Sequence, residues 1–159
     1  MAIKIFIMDV DGTLTDSKIY IGNNGEIMKA FNVKDGYGIR MLNNCNIKPI
    51  VITNRKSKIV TIRCMELGIN LIYQGVKNKL TLLKYIINKL NINNNEIAYI
   101  GDDINDIECI NYCKYTACPF DAVDEVKEKV KYISIKKGGD GAVRDFIEWL
   151  IKNEYIIII

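Results

Sequence analysis

Residues 3–16 read IKIFIMDVDGTLTD. Six mostly apolar residues lead directly into two acids, Asp9 and Asp11, which are separated by a single valine. A short apolar run of this kind is typical of a strand that is buried on both faces of a parallel sheet. Open α/β sheets bind ligands at the carboxyl ends of their strands. The two aspartates are therefore candidate functional residues at the exit of a buried first strand.

Similar apolar runs alternate with helical patterns along the rest of the chain. The predicted strands are Lys4–Met8, Pro49–Thr53, Asn70–Tyr73, Ile97–Ile100, Tyr115–Cys118 and Tyr132–Ser134. The predicted helices are Gly38–Cys45, Lys56–Leu67, Lys79–Leu90, Ile104–Tyr112, Val123–Val130 and Ala142–Lys152. This alternation predicts an α/β fold with a doubly wound parallel sheet and helices on both of its faces. With no repeat or linker visible, residues 1–159 are expected to form a single domain.

One segment, residues 18–33, interrupts the alternation directly after the first strand. It contains two β-like runs around Asn23-Asn24-Gly25, and Asn-Gly is a strong signal for a tight hairpin turn. The sequence therefore predicts a β-hairpin insertion, Lys18–Val33, that projects beyond the carboxyl end of the first strand.

Composition and charge exclude several classes of function. The chain of 159 residues has a net charge of +3, which is too small to favour a nucleic-acid partner, and no apolar stretch is long enough to predict a membrane span. It contains no histidine. Catalysis by Ser-His-Asp or Cys-His groups and metal sites built on histidine are therefore excluded.

The five cysteines are Cys45, Cys64, Cys109, Cys113 and Cys118. Their number is odd, they form no C-x-x-C pair, and no signal peptide is visible, so reduced thiols in a cytoplasmic protein are expected. Cys109 and Cys113 lie four residues apart on a predicted helix, where they are expected to pack as small apolar side chains rather than to bind metal.

A second acidic motif, IGDDINDIE, follows the predicted strand Ile97–Ile100. In a doubly wound sheet it opens into the same crevice as Asp9 and Asp11. Clustered carboxylates repel one another unless a cation lies among them, and an oxygen-only ligand set favours Mg²⁺. The alternative is that both motifs are acidic turns in which Asp102 or Asp103 only caps the next helix.

The spacing of the first two acids suits phosphoryl transfer. Side chains two residues apart on an extended backbone point the same way, so Asp9 and Asp11 can address one reacting group. One carboxylate can attack phosphorus to give an aspartyl-phosphate, while the other protonates the leaving oxygen and then activates water. A magnesium ion and a lysine would offset the charge on the transferred group.

The motif D-V-D-G-T-L-T-D resembles the first motif of the haloacid-dehalogenase-like phosphotransferases. Ile50–Thr53 is similar to their second motif, Lys79 in YQGVKNKL to the third, and GDDINDIE to the fourth. More narrowly, the chain resembles the 3-deoxy-D-manno-octulosonate 8-phosphate phosphatases along roughly Ile3 to Trp149. The stretches that carry this likeness are FNVKDGYGIRML, ITNRKS, RCMELGI, YQGVKNKL, AYIGDDIND and KKGGDGAVRD.

That resemblance implies a Rossmann-like core without a separate cap domain, a homotetramer, a Mg²⁺ cofactor and a sugar acid phosphate as the substrate. Asp9 would be the nucleophile and a metal ligand, and Asp11 the acid/base, with its backbone carbonyl on the metal. Thr53 would bind the phosphoryl oxygens and Lys79 would balance charge. Asp102 would complete the metal site, with Asp103 and Asp106 holding the metal's waters and Lys79 from behind.

The resemblance also implies a set of substrate-binding residues. They are Asp11, Asn32, Val33, Lys34, Asp35, Gly36, Arg40, Arg55, Arg63, Lys79 and Asn105. The arginines among them make independent sense because guanidinium groups bind carboxylates and phosphates in a bidentate manner. An arginine on a helix is, however, often only part of a surface ion pair. For Arg40 and Arg63 a surface ion pair therefore remains the alternative to substrate binding.

Three positions depart from the family pattern. Asn54 replaces a usual glycine, Asn78 replaces an acid and Thr13 replaces a valine.

Other functions remain open alternatives. One is a phosphatase of nine-carbon, sialic-acid-type 9-phosphates. Another is a non-catalytic relative, since similar domains are fused to sugar acid cytidylyltransferases. A signalling receiver domain also uses an aspartate and Mg²⁺, but it lacks the second acid that Asp11 supplies.

The last expectations concern surfaces. The hairpin presents Ile19, Ile21, Ile27 and Phe31 with too little chain nearby to cover them, which favours assembly of several subunits. The C-terminal tail, residues 153–159, ends in four isoleucines. The tail is expected either to pack against the core or, as the resemblance implies, to reach a neighbouring subunit's active-site mouth.

Overall fold

The computed structural model describes residues 2–157, which form a six-stranded parallel sheet, a separate two-stranded hairpin and six α-helices. The strands are β1 (Ile5–Met8), β2 (Tyr20–Gly22), β3 (Gly25–Met28), β4 (Lys48–Thr53), β5 (Leu71–Gln74), β6 (Ile97–Ile100), β7 (Tyr115–Cys118) and β8 (Tyr132–Ile133). The helices are α1 (Val33–Asn44), α2 (Lys58–Glu66), α3 (Lys79–Leu90), α4 (Ile107–Tyr112), α5 (Asp124–Lys127) and α6 (Ala142–Lys152). Short 3₁₀ turns cover Asn94–Glu96 and Ile104–Asp106.

The order of strands in the sheet is β5-β4-β1-β6-β7-β8. The chain builds outward from β1 in one direction through β4 and β5, then returns to the other side of β1 and continues through β6, β7 and β8. The strand order therefore reverses at β1. In open α/β sheets a ligand-binding crevice opens at such a reversal, beyond the carboxyl ends of the adjacent strands. The predicted fold class is confirmed.

Two apolar layers hold the helices against the sheet. Successive side chains of a strand point to opposite faces, so Phe6 and Met8 of β1 join one buried cluster and Ile5 and Ile7 join the other. The first cluster contains residues of α1, α2 and α6, and the Phe6 and Phe146 rings lie 5.5 Å apart. The second contains residues of α3, α4 and α5. Burial on both faces is why β1 is a continuous apolar run.

Several predicted boundaries were wrong. Helix α1 begins at Val33 rather than Gly38, because the side chain of Asn32 caps it by accepting the Lys34 N–H at 2.8 Å. Position 36 in this helix favours glycine, because a β-carbon there would lie only 2.6 Å from Nη2 of Arg63. Helix α5 is only four residues long, and the predicted helix at Ile104 opens with a 3₁₀ turn.

The predicted hairpin forms from β2 and β3, which pair antiparallel around Asn23 and Asn24. Gly25 has a φ of +104°, a conformation that favours glycine, at the turn. Ile19, Ile21 and Ile27 are exposed on this element as predicted, and Met28 is exposed as well. The prediction for Phe31 was wrong, because its ring packs against the first apolar cluster. Because the hairpin follows β1 directly, it lies beside the crevice.

Tyr155 and Ile156 of the C-terminal tail pack against the core. The Tyr155 ring lies 4.8 Å from that of Tyr115 and 5.7 Å from that of Trp149, and Ile156 is 4% exposed. This contact is at the amino-terminal edge of the sheet, opposite the crevice of the same chain. The placement supports the packing alternative for these residues, while Ile158 and Ile159 lie outside the described residues.

All five cysteine thiols are free, and four of them are buried. Cys109 and Cys113 lie among the apolar residues of the second cluster, as their helical spacing predicted. Between residues 2 and 157, no helix has the length and apolar character that crossing a bilayer requires.

Candidate active site

The ends of three neighbouring strands assemble the centre of the site. Met8 of β1 pairs with Val51 of β4 and with Ile100 of β6. This register brings the residues that follow each strand to one edge of the sheet, and the Asp9 N–H donates to the Ile100 carbonyl at 3.1 Å. Thr53 ends β4 and is buried. The crevice predicted from the strand order therefore has acids on β1 and β6 and a hydroxyl on β4.

Lys79 is the buried cation of the site. Its Nζ lies 2.9 Å from Oδ1 of Asp9 and 2.7 Å from Oδ1 of Asp106. Lys79 is the first residue of α3, and Asn78 caps that helix by accepting the Thr81 N–H at 2.8 Å. Asparagine caps a helix as well as aspartate does, so the departure at Asn78 keeps Lys79 on an ordered helix start.

Asp106 is fully buried and held by several donors. Besides Lys79, the Tyr99 hydroxyl donates to its Oδ1 at 2.6 Å, and the Asp102 N–H donates to its Oδ2 at 3.1 Å. Asp103 caps the 3₁₀ turn through the Ile104 N–H at 2.7 Å. The capping alternative thus describes Asp103, whereas Asp102 accepts the Thr13 hydroxyl at 3.0 Å instead.

Three carboxylates could together hold a metal ion. One oxygen each from Asp9, Asp102 and Asp106 lies within 4.8 Å of the others. The sequence predicted Asp9 and Asp102 as ligands with Asp106 behind them, and the structure groups all three. Three acids with one lysine leave a local negative charge, and an all-oxygen donor set suits a hard divalent cation such as Mg²⁺. The residues present fit that ion.

The electrostatics of these acids lead to the same conclusion. Burial, together with repulsion from Asp106, raises the pKa of Asp9 to about 6 despite the attraction of Lys79. Burial and the charges of Asp9 and Asp106 raise the pKa of Asp102 to about 8. In this buried site Lys79 alone does not offset the cost of ionising both carboxyl groups. A bound cation would supply the further positive charge.

Gly12 allows the loops of the site to approach closely. Its φ is +95°, and a β-carbon there would lie 1.9 Å from Oδ2 of Asp102. Gly138, from the loop before α6, approaches the same segment: a β-carbon on it would lie 1.9 Å from the Gly12 carbonyl oxygen. Both positions require glycine, which explains the glycines in DGT and in KKGGDG.

The carboxylate of Asp11 faces the hairpin and carries two cationic neighbours. Its Oδ1 lies 2.5 Å from Nζ of Lys29, and its Oδ2 lies 4.0 Å from Nε of Arg55. Lys29 also lies 3.0 Å from Glu26. Burial alone would lower the pKa of Lys29, but hydrogen bonds to Asp11 and Glu26 outweigh it and raise that pKa. Sequence reasoning missed Lys29 and Glu26, because a hairpin pattern does not show which charged residues point inward.

Known proteins share this architecture. A family described as haloacid dehalogenase-like hydrolase matches residues 47–147. The chain is 43% identical over 149 residues to the 3-deoxy-D-manno-octulosonate 8-phosphate phosphatase of Salmonella typhi, covering 94% of this chain and 79% of that protein.

Solved structures agree. The phosphatase of that name from Yersinia pestis superposes with a TM-score of 0.92 at 37% identity, covering 99% of this chain and 87% of that one. The enzyme of that name from Moraxella catarrhalis, solved in complex with magnesium, phosphate and KDO, gives a TM-score of 0.91 at 39% identity, covering 96% and 89%.

The chain belongs to the haloacid dehalogenase-like hydrolases, in the 3-deoxy-D-manno-octulosonate 8-phosphate phosphatase family. The resemblance read from its motifs is confirmed.

The remaining substrate-binding residues that the family resemblance implied are divided between two places. Asn105 lines a cavity of about 350 Å³ between the start of α3, at Lys79, and the start of α4. Arg40 and Arg63 instead lie between α1 and α2 and share a cavity of about 180 Å³ with Val33. There Arg40 donates to the Glu66 carbonyl at 2.9 Å, and Arg63 lies 3.3 Å from the Glu66 carboxylate.

The segment 32–36 has structural roles of its own in this phosphatase fold. Asn32 caps α1, while Val33 and Lys34 are exposed in its first turn. Asp35 is buried and accepts the Arg144 N–H at 2.8 Å, at the start of α6. These contacts join α1 to α6. A substrate role for the segment, for Arg40 and for Arg63 stays a prediction.

Proposed function

We propose that this chain is a Mg²⁺-dependent phosphatase that hydrolyses 3-deoxy-D-manno-octulosonate 8-phosphate to the free sugar acid and phosphate. The observation that carries the proposal is the buried Asp9–Lys79–Asp106 arrangement, joined by Asp102, in a chain 43% identical to a phosphatase of that name. The neighbouring structure that holds magnesium, phosphate and KDO supports the choice of cofactor and substrate.

Magnesium would be held by Asp9 and Asp102, with the backbone carbonyl of Asp11 as the further ligand that the family resemblance implies. Asp106 would stand behind them, because its oxygens accept hydrogen bonds from Lys79, Tyr99 and backbone N–H groups. When bound, the ion supplies positive charge that offsets the negative charge on the transferred phosphoryl group. Asp103 caps its own turn. We therefore infer that Asp103 stabilises the turn that follows Asp102 and does not bind the metal itself.

The chemistry of the reaction follows from the two opening acids. A carboxylate oxygen of Asp9 attacks phosphorus, and the bond to the sugar oxygen breaks as a phosphoryl–Asp9 bond forms. Asp11 gives its proton to the departing sugar oxygen. It then takes a proton from a water molecule that attacks the phosphoryl group, which frees Asp9 and releases phosphate.

Three other side chains support these steps. The ammonium group of Lys79 holds Asp9 in place and balances charge, because it lies 2.9 Å from that carboxylate. Thr53, at the end of β4, offers a hydroxyl to the phosphoryl oxygens. Arg55, whose side chain is 45% exposed beside Asp11, is free to bind an anionic group of the substrate.

The substrate assignment is tested by phosphate release from a panel of phosphate esters. We expect kcat/KM for 3-deoxy-D-manno-octulosonate 8-phosphate to exceed that for N-acetylneuraminate 9-phosphate and for glucose 6-phosphate by roughly tenfold or more. A higher value for the nine-carbon ester would transfer the assignment to the sialic-acid-type phosphatases.

We also propose that the chain assembles as a homotetramer. The support is the hairpin, on which Ile19, Ile21, Ile27 and Met28 are exposed beside an unpaired strand edge. Light scattering at micromolar concentration is expected to give four subunits, and a monomer would contradict this.

We propose a cytoplasmic location for the chain. The support is its five free thiols, which are typical of a reducing compartment.

A further inference from the structure

Lys29 lies on the solvent-facing hairpin, yet its side chain is only 1% exposed. It follows β3 directly, and its ammonium group lies 2.5 Å from Oδ1 of Asp11 and 3.0 Å from Oε1 of Glu26. Removing an ammonium group from water is costly unless carboxylates compensate it. The position of Lys29 is therefore determined by these two acids, and it restricts them in return.

The second acid is itself anchored to the core of the domain. Glu26 accepts a hydrogen bond from the Ser57 hydroxyl. Ser57 caps α2, and its N–H donates to the side chain of Gln74 on β5 at 2.7 Å. A chain of contacts thus runs from the sheet through Ser57 and Glu26 to Lys29. It ends at Asp11.

This arrangement engages the two oxygens of Asp11 unequally. Lys29 holds Oδ1 at hydrogen-bond distance, whereas Arg55 lies 4.0 Å from Oδ2, too far for a hydrogen bond. An acid that must give a proton to a leaving oxygen needs one oxygen free and correctly aimed, because small misplacements reduce catalysis strongly.

We propose that Lys29 is a positioning residue for Asp11: it fixes one carboxylate oxygen so that the other faces the leaving oxygen of the substrate. The hairpin, in addition to its predicted place in subunit assembly, then holds the acid/base in register with the nucleophile. This inference rests on the phosphatase function proposed above. In the step concerned, the electron pair of the broken phosphorus–oxygen bond goes to the leaving oxygen, which receives the Asp11 proton.

The test uses two aryl phosphates that differ in their need for that proton. Nitrophenolate leaves readily without protonation, whereas phenolate depends on it more strongly. The value of kcat/KM includes only the steps through cleavage of the ester, so later hydrolysis of the aspartyl-phosphate does not enter. For Lys29→Met we expect kcat/KM to fall roughly tenfold to a hundredfold on phenyl phosphate and only about threefold or less on 4-nitrophenyl phosphate.

Two further variants provide controls. For Asp11→Asn we also expect kcat/KM to fall more on phenyl phosphate than on 4-nitrophenyl phosphate, with larger losses on both, because this variant removes the acid itself. Lys18→Met changes another lysine of the hairpin segment, whose side chain is 72% exposed and lies 3.6 Å from Asp16, and it is expected to leave both reactions unchanged. If Lys29→Met fails to fold, Lys29→Arg, which keeps the charge but moves it, is expected to show the same order with smaller losses.

An equal fall on both esters, or no fall on either, would show that Lys29 only stabilises the hairpin and would overturn the proposal. Wild-type hydrolysis of both aryl phosphates without hydrolysis of the sugar acid phosphate would contradict the substrate assigned above, and the Lys29 comparison would still be decisive. A wild-type chain inactive on every ester would overturn both.

Discussion

Arg55 is the exposed cation nearest to the acid/base of the site. Its Nε lies 4.0 Å from Asp11, and its side chain is 45% exposed, so it can bind an anionic ligand without losing a buried partner. Hydrogen bonds to charged groups contribute about 1.5–3 kcal/mol, or roughly tenfold to a hundredfold in affinity. The residue therefore has the right position and exposure to contribute to substrate recognition.

If Arg55 binds the substrate carboxylate, Arg55→Ala should lower kcat/KM for the sugar acid phosphate roughly tenfold more than for 4-nitrophenyl phosphate, which has no carboxylate. Lys58→Ala, an exposed basic residue at the start of α2, is the matched control and should change neither. Equal losses on both esters would place Arg55 at the phosphoryl group, and no loss would make it a surface residue.

Asp35 makes stability depend on pH. Burial raises its pKa to about 6, although N–H groups at the start of α6 act in the opposite direction, and among residues 2–157 its buried Oδ2 has no hydrogen-bond partner. A raised pKa means that the folded chain binds the proton more tightly than the unfolded chain. Ionisation of Asp35 therefore reduces stability as the pH rises from about 4 to about 6.

Asp35→Asn removes this cost while retaining an acceptor for the Arg144 N–H. Relative to the wild type, we expect the variant to gain roughly 2–3 kcal/mol between pH 4 and pH 7, measured by urea unfolding. Asp124→Asn, at a side chain that is 92% exposed, should show no such gain. A gain that is the same at both pH values would mean that Asp35 does not titrate in this range.

At the scale of single residues, the sequence could predict Asp9 and Asp102, because each follows a buried apolar run, while Lys79 was predicted through the family resemblance. It could not predict that the Asp106 carboxylate lies within 4.8 Å of those of Asp9 and Asp102, since only the 3₁₀ turn at Ile104 orients that side chain inward. Lys29 was also missed, because nothing in a hairpin pattern distinguishes an inward lysine from a solvated one.

Among the elements, the C-terminal tail has the most direct energetic consequence. Ile156 lies in the first apolar cluster, and Tyr155 contacts two aromatic rings. Loss of a buried isoleucine costs about 2–5 kcal/mol. Packing of this kind is a stability contribution rather than a gate over the crevice of the same chain.

Deletion of residues 155–159 should therefore lower the melting temperature by roughly 5–15 °C, with kcat and KM nearly unchanged. Deletion of residues 157–159 alone is the control, because it leaves Tyr155 and Ile156 in place, and it should have a small effect. An unchanged melting temperature together with altered kcat and KM would instead support the idea that the tail acts at a neighbouring active site.

Element boundaries show where sequence patterns fail. The pattern for α3 and α6 gave their bounds because both begin after a polar or glycine residue and have an unbroken apolar face. The predicted start of α1 at Gly38 was too late, and side chains of Arg63 and Arg144 fill the space beside Gly36 and Gly38 within the helix. Tertiary contacts of this kind are not visible in one sequence.

For the molecule as a whole, the position of the site follows from topology. Because β1 lies between β4 and β6, residues 9, 53 and 102 meet although they are far apart in the sequence. The alternation of strands and helices predicted that Asp9 and the acids after β6 open into one crevice, whereas the place of Thr53 came from the family resemblance. The cavity shapes and the contacts between α1 and α2 depend on side-chain packing and could not be derived in the same way.

The proposed mechanism depends on Asp9, which takes the phosphoryl group from the ester in a magnesium-dependent reaction. Its most direct test is phosphate release from 3-deoxy-D-manno-octulosonate 8-phosphate by the wild type and by Asp9→Asn, each with Mg²⁺ and after chelation. We expect turnover only by the wild type with Mg²⁺, lost on chelation and restored when Mg²⁺ is returned. Near-normal release by a folded Asp9→Asn variant would contradict the account.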